Sequence, residues 1–188
     1  MRILVLALCL VPVSAFAQPA TRAIDQHRSE LGALLAGPRG DVAARELLAS
    51  LVDYEGMARR ILGAEWDART EAERARYVAA LRSSLLRHYG PRVAQVREYR
   101  VQMGTEEPGV EPIVHLTARA IATPRAEPWE IACRMHRVDG EWRVIDIVTN
   151  ESSLVQAQSR RVREALAHGT WDALLARLEG SEGDAAHQ

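Results

Sequence analysis

The dipeptide Asp139-Gly140 constrains this chain more than any other feature. It lies between two apolar-rich runs and supplies the pair of positive-φ residues that a two-residue type I′ turn requires. Such a turn fixes the register: Val138 faces Glu141, Arg137 faces Trp142, Met135 faces Val144, Cys133 faces Asp146 and Ile131 faces Val148. One face of the hairpin then carries Trp129, Ile131, Cys133, Met135, Trp142, Val144 and Val148. The other carries Glu130, Arg134, His136, Glu141 and Arg143, with Ile145 and Ile147 among them. Side chains alternate across a strand, so the first and more apolar face is assigned to the interior. Asp146 falls on that face, where a carboxylate without partners is costly. The expected resolution is a hydrogen bond to nearby backbone or to an Arg, tying the strand end to the following helix.

Two further strands precede the hairpin, Glu98 to Met103 and Pro112 to Thr123, separated by a loop from Gly104 to Glu111. In the second, Val114, Leu116, Ala118 and Ala120 alternate with Ile113, His115, Thr117 and Arg119. Before them the periodicity is helical. Ile24, Arg28, Leu31, Leu34 and Leu35 keep helix spacing up to Gly37-Pro38. A helix capped by Asp41 is predicted to run through Leu47, Leu51, Tyr54, Met57, Ala58, Ile61 and Leu62 to Gly63, a residue that enters a left-handed cap cheaply. Thr70-Glu71-Ala72-Glu73 is a capping box, and the helix it opens aligns Tyr77, Val78, Leu81, Leu85 and Tyr89 before Gly90-Pro91 interrupts it. After the hairpin, Ser152 and Ser153 can cap a helix carrying Leu154, Val155, Val162 and Leu166. Thr170 caps a last one with Trp171, Leu174, Leu175 and Leu178. Helices, then an antiparallel sheet, then helices predict an α+β fold.

The N-terminus reads as an export signal: Arg2, an apolar run from Ile3 to Val13, and the A-x-A site Ala15-Phe16-Ala17. That run is too short to span about 30 Å of hydrocarbon. The expected organisation is a signal peptide over 1–17, one domain over 18–180 and a disordered polar tail over 181–188. The mature chain is expected to be soluble and periplasmic. Cys133 is its only cysteine, so no internal disulfide can form, and a buried apolar role is expected for it. Removing Arg2 from 24 basic and 25 acidic residues leaves 23 against 25, a charge of −2. This balance argues against nucleic-acid binding. There is no G-x-S-x-G, no HExxH and no phosphate-binding Gly-rich loop, and the histidines lack metal-ligand spacing. Neither metal nor cofactor is expected.

Three stretches, taken together, carry a family resemblance. They are Tyr54-Glu55-Gly56-Met57-Ala58-Arg59-Arg60-Ile61-Leu62-Gly63-Ala64-Glu65-Trp66, the segment from Thr70-Glu71-Ala72-Glu73-Arg74 to Leu86-Arg87-His88-Tyr89, and Trp142-Arg143-Val144-Ile145-Asp146 followed by Ser153-Leu154-Val155 and Gly169 through Leu178. In this order they resemble the MlaC/toluene-tolerance family of periplasmic phospholipid-binding proteins, over roughly Leu47 to Glu179. The resemblance implies a curved antiparallel sheet wrapped by helices around an apolar pocket. That pocket would hold acyl chains of a phospholipid, or of a related lipid such as a hopanoid. The implied partners are an inner-membrane ABC transporter with an MCE-domain subunit and an outer-membrane lipoprotein complex. The candidate lipid-binding residues are Met57, Ile61, Leu62, Tyr77, Leu81, Leu85, Leu116, Ile131, Cys133, Met135, Val144 and Leu154. Glu151 stands where the family often has Gly, two residues before the Ser, and Glu resists the positive φ that Gly permits. The alternatives are a small-molecule enzyme on a cone-shaped α+β fold, using Asp146, and a lipid-free periplasmic adaptor.

Overall fold

The computed structural model describes residues 19–38, 40–123 and 125–180. The signal peptide and the polar tail read from the sequence lie outside the described residues. Five helices open the chain: α1 (Ala20–Leu35), α2 (Gly40–Ser50), α3 (Tyr54–Leu62), the short α4 (Ala64–Asp67) and α5 (Glu71–Tyr89). A 3-10 helix, Gly90–Glu98, leads to strands β1 (Tyr99–Glu107), β2 (Ile113–Ala120), β3 (Trp129–Val138), β4 (Glu141–Thr149) and β5 (Ser152–Ser153). Helices α6 (Leu154–His168) and α7 (Trp171–Gly180) follow. The strands form one antiparallel sheet in sequence order, so the fold is α+β as expected.

The predicted helix from Asp41 to Leu62 is two helices. Between them Leu51 and Asp53 pair with the free edge of β4: the Asp53 N–H donates to the Val144 carbonyl (3.0 Å) and the Val144 N–H to the Leu51 carbonyl (2.8 Å). An unpaired strand edge is a strong competitor for backbone groups. Asp53 then starts α3, its Oδ1 accepting from the Gly56 N–H at 2.9 Å, and its Oδ2 lies 2.6 Å from His136 Nε2 on β3. Glycine at 56 leaves room for that carboxylate, since a Cβ there would sit 2.3 Å from Oδ2 and displace it. Asp41 lies inside the first turn of α2 and pairs with Arg97 at 2.8 Å instead of capping.

Strand β1 continues through the predicted loop to Glu107. A register shift between Met103 and Glu106 accommodates Gly104, where a Cβ would come 2.9 Å from the His115 carbonyl oxygen. Strand β2 ends at Ala120, short of the expected Thr123. The Asp139-Gly140 turn has positive φ at both residues (51° and 84°), as a type I′ turn demands. The capping box at Thr70 and Glu73 is complete.

The hairpin register holds from the turn to Met135 and Val144 and then slips. Ile145 is an extra residue on β4, so Arg134 faces Asp146, Cys133 faces Ile147 and Ile131 faces Thr149. A β-bulge of this kind puts two residues opposite one and reverses which side chains share a face. Asp146 and Val148 therefore leave the apolar face, and Ile147 joins it.

Candidate functional site

The apolar residues divide into distinct clusters. In the helical bundle, Met57, Ala58, Ile61 and Leu62 of α3 meet Tyr77, Leu81 and Leu85 of α5, Val162 of α6, and Trp171, Leu174 and Leu175 of α7, with Trp66 at one end. Leu154 packs against this group, and the Tyr77 and Trp171 rings stack at 5.6 Å. Burial pushes the Tyr77 hydroxyl far above the ordinary tyrosine range. Tyr89, expected on the same stripe, is exposed.

The second cluster is the apolar face of the sheet, called the floor below. Val101 and Met103 of β1, Val114 and Leu116 of β2, Ile131, Cys133 and Met135 of β3, and Trp142, Val144 and Ile147 of β4 share it. Its centre is buried, but Val101, Met103, Ile131, Trp142 and Ile147 are only partly so. Among the described residues, the apolar side chains that pack on the floor from outside the sheet are Ala20 and Ile24, at the start of α1. A small residue and one aliphatic side chain are a thin cover for ten floor residues.

A carboxylate holds that cover down. The Thr21 N–H donates to Glu106 Oε2 at 2.8 Å, and the Thr21 hydroxyl donates to the same oxygen. Burial raises the Glu106 carboxyl, but the Thr21 hydroxyl and the Thr21 and Ala20 N–H groups together hold it below the ordinary carboxylate range. The favourable field of a helix N-terminus acts in the same direction. Further along, α1 leaves the sheet and packs with α2 and the 3-10 helix through Leu31, Leu35, Ala44 and Val93.

Of the twelve candidates from the sequence, Leu116, Ile131, Cys133, Met135 and Val144 come together on the floor. Met57, Ile61, Leu62, Tyr77, Leu81, Leu85 and Leu154 come together in the helical bundle. Val101, Met103, Val114, Trp142 and Ile147 belong to the floor and were not among the candidates. The signal for Ile147 is present in the chain: apolar residues alternate at Trp142 and Val144, then resume one position out of phase at Ile145 and Ile147. Trp129 sits on the floor face, opposite Ala118, but is exposed rather than interior.

Cys133 behaves as a small apolar residue, for burial, with the Asp146 charge added, pushes its thiol up to about 12. Asp146 has both oxygens engaged: Oδ2 accepts from the Ser153 hydroxyl at 2.7 Å and Oδ1 from the Val155 N–H at 3.0 Å. Ser153 Oγ in turn accepts from the Gln156 N–H at 3.0 Å and caps α6. The carboxylate thus ties the strand end to the following helix, the structural role expected of it.

Two open depressions are also present. One of 220 Å³ is lined by Arg76, Ser83, Arg87 and Glu179 among others. The second, of 440 Å³, is lined by Ile131, Ala132 and Val148 together with His115, Glu130, Asn150 and Glu151. Charged groups dominate the first, whereas the second sets an apolar strip beside polar groups. Among the described residues no group of three or more His, Cys, Asp or Glu is placed to hold a metal ion, and no helix is long and apolar enough to cross a membrane.

Fold and site together define an α+β protein with a sealed helical bundle and a separate, thinly covered apolar sheet face. The MlaC protein family model matches residues 21–180, and the chain belongs to that family. Its fold is similar to that of a phospholipid-binding protein from Ralstonia solanacearum, solved in complex with a phospholipid. The TM-score is 0.71 at 16% sequence identity, over 87% of this chain and 96% of that one. No curated protein sequence matches significantly.

Proposed function

We propose that this chain is a periplasmic lipid carrier that shelters acyl chains against the floor, beneath α1. The observation that carries this reading is the incomplete cover of the floor: an apolar surface half-sealed by Ala20 and Ile24 and held by one carboxylate. Membership of the MlaC family and the phospholipid held by the Ralstonia protein support it.

Each methylene withdrawn from water is worth about 0.8 kcal/mol, so two long chains gain on the order of 20 kcal/mol if fully sheltered. No catalyst is needed for that, only aliphatic walls and an opening. Leu116, Ile131, Cys133, Met135 and Val144, with Val101, Met103, Trp142 and Ile147, are the residues assigned to the guest. Six of the seven candidates in the helical bundle are buried there and Leu154 packs partly buried against them, so all seven are assigned to its core. The floor's centre is reached by displacing the first turns of α1, so Glu106 sets how readily the site opens. On this reading the protein moves phospholipid, or a related lipid such as a hopanoid, between membranes. It exchanges cargo with an MCE-domain ABC transporter on one side and an outer-membrane lipoprotein complex on the other.

Native mass spectrometry and solvent extraction of protein taken from the periplasm test the reading. Bound phospholipid is expected. Lipid-free protein in repeated preparations, together with no uptake of labelled phospholipid, would overturn it in favour of an adaptor.

A further inference from the structure

The floor does not end where its cover ends. Along β3 the floor face runs from Cys133 and Ile131 to Trp129, which is 53% exposed at the end of the sheet. The Tyr99 ring lies 6.2 Å from the Trp129 ring. Ile121, also 53% exposed, follows directly after β2 at the same end, its N–H bonded to the Glu98 carbonyl at 2.8 Å. The Tyr99 and Trp129 rings thus lie together where the floor meets solvent, with Ile121 exposed at the same end of the sheet. The other face of the same strand ends carries charge: Arg100 of β1 stands directly opposite Arg119 of β2, and both are exposed. Like charges directly opposite on neighbouring strands are destabilising. Among the described residues neither guanidinium forms an ion pair or hydrogen bond. Glu130, on the same face, has its carboxylate on the Thr117 hydroxyl at 3.1 Å.

We infer that this end of the sheet is a lip that docks on an anionic phospholipid bilayer, with Trp129, Tyr99 and Ile121 entering the interfacial zone and Arg100 and Arg119 meeting headgroup phosphates. Indole and phenol rings suit that zone because each has an apolar body and a polar tip. An anionic surface relieves the repulsion between the two arginines, each of which contributes through the field of the leaflet. The inference rests on the carrier reading and adds to it the surface by which the open end of the floor is held at the membrane where cargo is exchanged.

Vesicle flotation of the full mature protein tests this, with vesicles of phosphatidylethanolamine and phosphatidylglycerol compared with phosphatidylcholine alone. Wild-type protein is expected to float with the anionic vesicles, less with the neutral ones, and less again in high salt. Trp129→Ser combined with Ile121→Ser should weaken binding about tenfold or more, from the interfacial apolar surface lost. Arg100→Glu and Arg119→Glu should each weaken binding to anionic vesicles about fivefold or more. All four positions are exposed, so unchanged melting temperatures are expected to accompany these losses. Wild-type protein that stays unbound, or variants of either kind that float like wild type, would overturn the inference. Lipid content by native mass spectrometry separates it from the carrier reading. Lip variants are expected to retain purified cargo, whereas a wild type without cargo sinks the carrier reading whatever the vesicles show.

Discussion

The helical bundle and the sheet floor are both apolar, yet they are finished differently. In the bundle, Met57, Tyr77 and Leu81 each expose 1% of their surface, because helices α3, α5, α6 and α7 surround them on every side. On the floor, half the cluster is only partly buried, and among the described residues its apolar cover from α1 is Ala20 and Ile24. The bundle has the arrangement of a core that stabilises the fold. The floor has apolar area in excess of what its cover can bury. The lesson is that the amount of apolar surface does not identify a binding face, whereas the match between a face and its lid does.

Side-chain truncation gives the largest test of that contrast. In protein stripped of lipid, Tyr77→Ala should cost about 3–5 kcal/mol, for it removes a sealed aromatic ring stacked on Trp171. Ile131→Ala on the floor should cost less than about 1.5 kcal/mol, because its side chain already meets solvent. Urea denaturation measures both. Lipid loading should run the other way, falling for Ile131→Ala and staying unchanged in the folded fraction of Tyr77→Ala. Equal stability costs would mean that the floor is a core like the bundle.

The next effect in size concerns the joint between the two regions. Asp146→Ala leaves the Ser153 hydroxyl and the Val155 N–H without their acceptor and should cost about 2–3 kcal/mol. Faster amide exchange at Val155 and Gln156 is the local signature, and lipid loading should persist. An Asp146 variant that kept full stability but lost a chemical activity would revive the enzymatic alternative.

Much of this architecture was legible beforehand. The Asp139-Gly140 turn, the Thr70–Glu73 capping box, the helix stripes and the tie from Asp146 to the next helix are local, and local chemistry leaves local marks. What escaped depends on partners far away in the chain. The split between α2 and α3 follows from the pairing of Leu51 and Asp53 with Val144, about ninety positions on. The latch joins Thr21 to Glu106, 85 positions apart. The bulge at Ile145 is the exception: it did leave a mark, the phase change after Val144, but alternation carried straight through the turn reads past it. The division of the twelve candidates between bundle and floor was not legible, because helix periodicity says which face is apolar and not what that face meets.

The latch supplies a pH test. The folded Glu106 carboxyl lies below its ordinary range, so its contribution is fully present above the pKa of the unfolded chain. It is lost as pH falls through the lower folded value. Acidification below about pH 5 should therefore loosen the first turn of α1 while leaving the bundle intact. Amide exchange at Thr21 is expected to accelerate in that window before exchange in α5 does. Glu106→Gln should abolish the pH dependence and speed lipid exchange at neutral pH. If α1 and α5 loosen together, the floor and the bundle are a single cooperative unit and the contrast drawn above fails.

The smallest effect concerns the turn that connects the regions. Asn150 and Glu151 join β4 to β5 with φ of 48° and 64°, so Glu151 adopts the left-handed conformation in a position where the family often has Gly. Asn tolerates that region, but a Glu there carries a steric cost of roughly 1–2 kcal/mol. Glu151→Gly removes the cost, while the added freedom of glycine in the unfolded chain returns roughly 0.5–1 kcal/mol. The net expectation is a gain of up to about 1 kcal/mol, seen as a melting temperature higher by about 2–4 °C. Because the turn belongs to the joint and not to the floor, lipid content should not change. A fall in stability would mean that Glu151 makes a contact worth more than its backbone strain.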